Sequence, residues 1–215
     1  MFIGHFAIAY ILIALFPGIP PLIPLLGVSF PDLLWPVLVF AGIEKVKIDP
    51  ASPRQDALEF QSYPWSHSLV LGTLIAVIPA AVIGFFFGFP AGMVFVVASA
   101  SHWVLDAVVH KKDLPVLGFG PDTTAGAGLW RWGPASFVIE LVFYAVITFL
   151  AAPAGTFIPL LVLGLVFHLI NANSFFGFSK ENPFKTPRAY AGVTIFGFFA
   201  FILIAELIVS GWWIF

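Results

Sequence analysis

The sequence predicts an all-α fold, a single polytopic bundle of about seven transmembrane helices occupying residues 1–215. Three observations predict it. Of the 215 residues, 60% are hydrophobic and 9% charged, against about 25% charge in an ordinary soluble domain, and the mean hydropathy is +1.04. The apolar residues gather into runs of about 20, the length that crosses the hydrocarbon core of a bilayer. All nine Lys and Arg residues lie between those runs, in three polar segments. The chain has no cysteine, so any metal site must rest on imidazole and carboxylate. The scattered cations form no basic stripe, which argues against nucleic acid as a partner.

The first span, about 2–16, is apolar except for His5 and stops at Pro17-Gly18-Ile19-Pro20-Pro21, a break between helices. No basic segment precedes it, so it is expected to be retained as a helix rather than removed as a signal peptide. The second, about 22–42, carries Pro31-Asp32; a kink there is expected to turn the carboxylate into the bundle, away from lipid. A polar loop from Glu44 to Ser66 follows. Spans of about 67–88 and 91–110 form a hairpin through Phe89-Pro90, and a second polar loop runs from Lys111 to Gly133. Its Trp130 and Trp132, with Trp103, are candidates for interface anchors. A fifth span of about 134–152 contains Glu140, and a sixth of about 156–172 contains His168. After the loop holding Lys180, Lys185 and Arg188, a seventh span of about 191–215 ends with Trp212 and Trp213.

Seven crossings place the N-terminus and all three polar loops on one side. The Lys and Arg residues are all there, so that side is expected to be cytoplasmic and the C-terminus outside, in a plasma (inner) membrane.

Within this frame the polar residues share one leaflet. His102, Asp106 and His110 recur every fourth residue, so they form one stripe on a helix, and a His and an Asp one turn apart can bind one metal ion. His5 and His67 open their spans on the same side, Asp32 lies deeper, and Glu140 and His168 fall at comparable depth. Ionisable residues inside a bilayer are costly unless paired or metal-bound, and they usually mark function. Taken singly, His5 reads equally as an interfacial side chain, and Glu140 and His168 as groups that orient ligand imidazoles. Glu206, toward the opposite leaflet, is expected to pair locally or to sit at the interface.

The order Gly4-His5, Pro31-Asp32, His67-Ser68-Leu69, Ser101-His102 and Leu105-Asp106 resembles the YdjM-like family of membrane-bound metal-dependent hydrolases, over the first half of the chain to about Pro115. That family is distantly similar to zinc-dependent phospholipase C. The resemblance implies that Asp32, His67, His102 and Asp106 hold one metal, zinc by this likeness, and that Asp106 bridges to a second ion with His5 and with His110 contributing. It gives Ser68 and Ser101 supporting places beside the ligands. Leu34 stands where the family usually has a second aspartate.

A site of one or two divalent ions, zinc above all, points to hydrolysis, because a metal with an open position ionises water near neutral pH. Glu140 is the candidate general base. A location just below the cytoplasmic surface favours a lipid or lipid-linked ester or phosphodiester as substrate. Two other classes remain open: an ion or proton transporter using the His/Asp cluster, and a membrane protein that binds metal without catalysis.

Overall fold

A computed structural model describes residues 1–211; Trp212 and Trp213, and with them the end of the expected seventh span, lie outside the described residues. The protein is nearly all helical. The first helix, α1 (Ile3–Leu15), is followed by α2 (Leu22–Phe40), the short α3 (Pro64–His67), and the hairpin of α4 (Leu69–Phe87) and α5 (Phe89–Val109). Then come α6 (Pro134–Ala151), α7 (Phe157–Ile170), the single turn α8 (Asn173–Phe176) and α9 (Pro187–Val209).

Five of these, α2, α4, α5, α6 and α9, are long and apolar enough to cross a membrane. α1 and α7 are apolar but have 13 and 14 residues, about 20 Å at 1.5 Å per residue, against about 30 Å of hydrocarbon. Of the about seven spans expected, five are matched among the described residues by helices long and apolar enough to cross.

The helices pack in the order α4, α5, α2, α9, α7, α6, and α1 lies against α2, α5, α6 and α7. α1 is apolar all round and buried at Ile3, Phe6, Ala7, Ala9, Tyr10, Leu12 and Ile13, as a helix enclosed by other helices should be. Its residues form the main core with Leu25 and Val28 of α2, Ala98 of α5, Tyr144 of α6, Leu160 of α7 and Phe201 of α9. Small residues set the close approaches. A Cβ on Gly27 would stand 2.6 Å from the Ala98 Cβ and 3.0 Å from the Phe95 carbonyl oxygen, so α2 and α5 touch backbone to backbone there.

The polar segments contain strands that an all-α expectation does not include. β1 (Lys45–Lys47) pairs antiparallel with β2 (Glu59–Ser62), and β3 (Leu114–Pro115) with β4 (Thr124–Ala125). Strands of two to four residues are too short for their alternation to rise above chance in sequence. The first pair packs at the end of the bundle: Val46 and Leu58 are buried with Trp35, Tyr63 and Leu114, with Phe60 against them.

The third span also begins later than expected. Ser68 is extended, and its hydroxyl accepts from the Gly72 amide, so it caps α4. His67 consequently belongs to α3, the turn that leads into the span. Trp103 donates its indole N–H to the Pro115 carbonyl at 2.7 Å, tying α5 to β3, while Trp132 is 62% exposed. Glu206 pairs locally as expected, accepting from the Ser210 hydroxyl at 2.7 Å.

Candidate metal centre

Four of the expected ligands meet at the polar-loop end of the bundle. α5 carries His102 and Asp106 one turn apart on its buried face, with Nε2 of His102 3.3 Å from Oδ2 of Asp106. α2 brings Asp32, whose Oδ2 is 3.6 Å from the same Nε2. α3 brings His67, whose Nε2 is 3.4 Å from Asp32 Oδ1 and 3.9 Å from Asp106 Oδ2. The Gly27–Ala98 approach, one helical turn from His102, is what lets α2 and α5 present their ligands to each other.

Each ligand imidazole is oriented by its other nitrogen. His102 Nδ1 lies 2.7 Å from the Val28 carbonyl. A carbonyl only accepts, so Nδ1 carries a proton, and in the neutral ring Nε2 is the lone pair left for an ion. His67 Nδ1 lies 2.7 Å from the Ser66 hydroxyl, and that hydroxyl donates to Glu44 Oε2 at 2.6 Å. With its proton committed to the carboxylate, Ser66 accepts from His67, whose Nε2 in the neutral ring is likewise the lone pair left for an ion. Glu44 is buried and takes two more bonds, from the Trp65 and Ser66 amides at 2.8 and 3.0 Å. Burial lifts its carboxyl above the ordinary carboxylate value, against the opposite pull of Ser66 and His67.

With both rings neutral, two imidazole lone pairs and the carboxylates of Asp32 and Asp106 face one another at the end of the bundle. Among the described residues His102 Nε2 has no hydrogen-bond partner. Such a set of acceptors is repulsive until positive charge enters it, as a metal ion or as a proton on a ring. The spacing suits one: two ligand atoms each about 2.0–2.1 Å from a zinc ion stand about 3.3 Å apart at the tetrahedral angle. The four contacts run from that value up to 3.9 Å and use both oxygens of Asp32; Asp32, His67 and His102 form the group able to hold an ion, with Asp106 beside it.

The remaining candidates take different places. His5 Nε2 is 3.2 Å from Oδ1 of Asp106, on the other side of that carboxylate. His5, His102 and Asp106 form a second group able to hold an ion, beside Asp32, His67 and His102. The two groups share His102, and one bare nitrogen serves one ion. The His5 ring stacks on that of His102 with centroids 3.6 Å apart, and the Met1 amino group pairs with Asp106 Oδ1. His110 Nε2 is 3.5 Å from Asp106 Oδ2, and its Nδ1 faces Asp113 Oδ1 at 3.2 Å. Asp113 also receives the hydroxyl of Tyr63. Burial and this carboxylate hold that hydroxyl protonated, far above its ordinary value.

Glu140 reaches α1 instead of a ligand imidazole. Its Oε1 accepts from the Phe2 and Gly4 amides at 2.6 and 3.2 Å, so a carboxylate from α6 satisfies the open N–H groups at the start of α1 and steadies His5. His168 is not brought to the cluster: its Nε2 bonds the Phe137 carbonyl at 2.9 Å, joining α7 to α6. Ser68 and Ser101 also do local work, donating to the Pro64 and Ala98 carbonyls. The serine that supports a ligand is Ser66, and Glu44, Ser66, Tyr63 and Asp113 are the site residues that sequence reasoning passes over.

The ligands border a cavity of about 380 Å³ lined by Asp32, His67, Asp106, His110 and Glu140. In comparisons with known proteins, the chain matches no family model, no curated protein and no solved structure.

Proposed function

We propose that the protein is a membrane-embedded, metal-dependent hydrolase acting on a lipid or lipid-linked ester or phosphodiester, with zinc held by Asp32, His67, His102 and Asp106. The observation that carries this reading is the convergence of those four groups with both imidazole Nδ1 atoms already engaged. The donor set is nitrogen and oxygen, the set of catalytic zinc sites, whereas a closed structural site is usually rich in thiolate. Zinc bound there supplies a Lewis acid and brings the ionisation of water to near pH 7.

The chain's own residues do the rest. Ser66 and Glu44 hold His67, and the Val28 carbonyl holds His102, so neither imidazole must reorganise to meet an ion. Glu140 spends Oε1 on α1, but it lines the cavity and its Oε2 takes no hydrogen bond among the described residues, so that oxygen is the place for a proton taken from water. His5 stands at Oδ1 of Asp106, beside one ion and within reach of a second.

We also infer seven crossings, with α1 and α7 as short members shielded by their neighbours. The polar loops and the site then face the cytoplasm of a plasma membrane, since all nine cations lie on that side. The order of the motifs in the first half of the chain, which resembles that of the YdjM-like hydrolases, supports the hydrolase reading.

The test is elemental analysis of detergent-purified protein, followed by assay on lipid esters and phosphodiesters. Stoichiometric zinc that is lost in a His102→Ala variant, together with lipid hydrolysis, supports the reading. Protein that binds no divalent ion refutes it.

A further inference from the structure

The cavity at the metal site has a mouth and a far end, and they differ in chemistry. Among the residues lining it, Ile170 of α7 and Phe196 of α9 are each 74% exposed and Val193 of α9 is 48% exposed. Residues that both line a cavity and face outward mark its opening, and this one lies between two apolar helices. Phe2, Phe167 and Phe198 line it further in, with the Phe2 ring 6.1 Å from Phe167 and 5.0 Å from Phe198. An opening framed by Ile, Val and Phe on helices that face lipid admits acyl chains and gives little to a water-soluble solute.

Beyond the ligands the lining becomes cationic. A second cavity of about 180 Å³ shares Gln55, Leu58, Phe60, His110 and Trp130 with the first and adds Lys111 and Arg131. Of its two acids, Asp56 pairs with Arg54 at 3.0 Å, and Asp113 pairs through Oδ1 with His110 at 3.2 Å while its Oδ2 stays unpartnered among the described residues. Among the described residues Lys111 bonds the Leu58 carbonyl at 2.8 Å and Arg131 the Gly128 and Ala127 carbonyls at 3.2 and 3.5 Å, and both keep further N–H groups for an anion.

We propose that an anionic, phosphate-bearing membrane lipid enters sideways between α7 and α9, leaves its acyl chains in the aromatic mouth, and places its headgroup toward Lys111 and Arg131. The linkage between chain and headgroup then passes the Asp32, His67, Asp106 cluster, which lies between the two ends. This names the substrate class of the proposed hydrolase and rests on that reading for the chemistry, but lipid binding is measurable without turnover.

The test is native mass spectrometry of the full chain in detergent, titrated with phosphatidic acid, phosphatidylcholine and soluble glycerol phosphate. The wild type is expected to bind phosphatidic acid at least tenfold tighter than phosphatidylcholine, and glycerol phosphate weakly. Lys111→Gln with Arg131→Gln should abolish the preference, weakening phosphatidic acid at least tenfold more than phosphatidylcholine. Gly197 lines the mouth and a Cβ there meets nothing within 4 Å, so Gly197→Trp plugs it without crowding the core; both lipids should bind at least tenfold more weakly, with metal content unaltered. Phe196→Gln, on the exposed rim, should weaken both in the same sense and serves if the tryptophan variant does not fold. Unchanged lipid binding in the mouth variants, an unchanged preference in the double variant, or glycerol phosphate binding as tightly as the lipid would each overturn the proposal. Lipid bound as expected but never cleaved by zinc-loaded protein would instead refute the hydrolase reading and leave the binding site standing.

Discussion

Removing one hydroxyl that touches no ion should weaken metal binding measurably. Ser66→Ala deletes the oxygen between Glu44 and His67, breaking bonds of 2.6 and 2.7 Å. His67 Nδ1–H is then left in a buried place without its acceptor, and Glu44 keeps only the Trp65 and Ser66 amides. Leaving a buried donor unpaired costs about 1–3 kcal/mol. The relevant part is what the ion feels: a ligand imidazole free to turn, or to exchange its tautomer, must be reordered on binding. Loss of such an outer contact typically weakens metal affinity about 10–100-fold, or about 1.4–2.7 kcal/mol, which lies inside the range of the hydrogen-bond estimate. The assay is competition for zinc against a chromophoric chelator in detergent. Ser101→Ala and Ser68→Ala are the controls, because those hydroxyls bond their own helix backbone and should change affinity less than about twofold. Affinity in Ser66→Ala within twofold of wild type, or an equal loss in Ser101→Ala, would refute the relay through Ser66.

Other measurements probe the rest of the site. Gly27→Ala places a Cβ 2.6 Å from that of Ala98, so it should lower the thermal midpoint, by a cost of about 1–3 kcal/mol, and weaken zinc binding because Val28 and Asp32 move with α2; a variant as stable as wild type would show that the helices are not in contact there. Burial raises the Glu44 carboxyl above its ordinary value, so its contribution to stability is fully present below the unfolded pKa and is lost as pH rises through the folded one. In chelator-treated protein, Glu44→Gln should therefore flatten the fall in thermal midpoint with rising pH, and an unchanged slope would remove Glu44 as its source. Because the two candidate groups share His102, saturating zinc should reach about one tightly held ion per chain, with any second ion weaker and abolished first in His5→Ala; two ions of equal affinity by calorimetry would contradict the single bare Nε2.

What sequence reasoning reached follows from which patterns are local. Apolar runs of about 20 residues announce helices wherever they occur, and the His102, Asp106, His110 stripe is legible because four residues make nearly one turn. Hydropathy gives depth in the membrane but says nothing about rotation around a helix axis. Glu140 and His168 lie at the expected height, yet one turns to the amides of α1 and the other to the Phe137 carbonyl. The same geometry separates neighbours: Ser101 is beside His102 in sequence but about 100° around the helix from it, which is why its hydroxyl falls back on Ala98. Short elements leave less trace still. α3 has four residues, and only in the fold does it set Ser66 against Glu44, 22 positions away across a loop with a two-stranded turn. A carboxylate, a hydroxyl and an imidazole in that relation have no spacing to recognise. Their role becomes visible when the bond on His67 Nδ1 shows which nitrogen is left for an ion, and it is this orientation of His67 and His102, more than the count of histidines, that separates a metal centre from a set of polar residues pairing with one another.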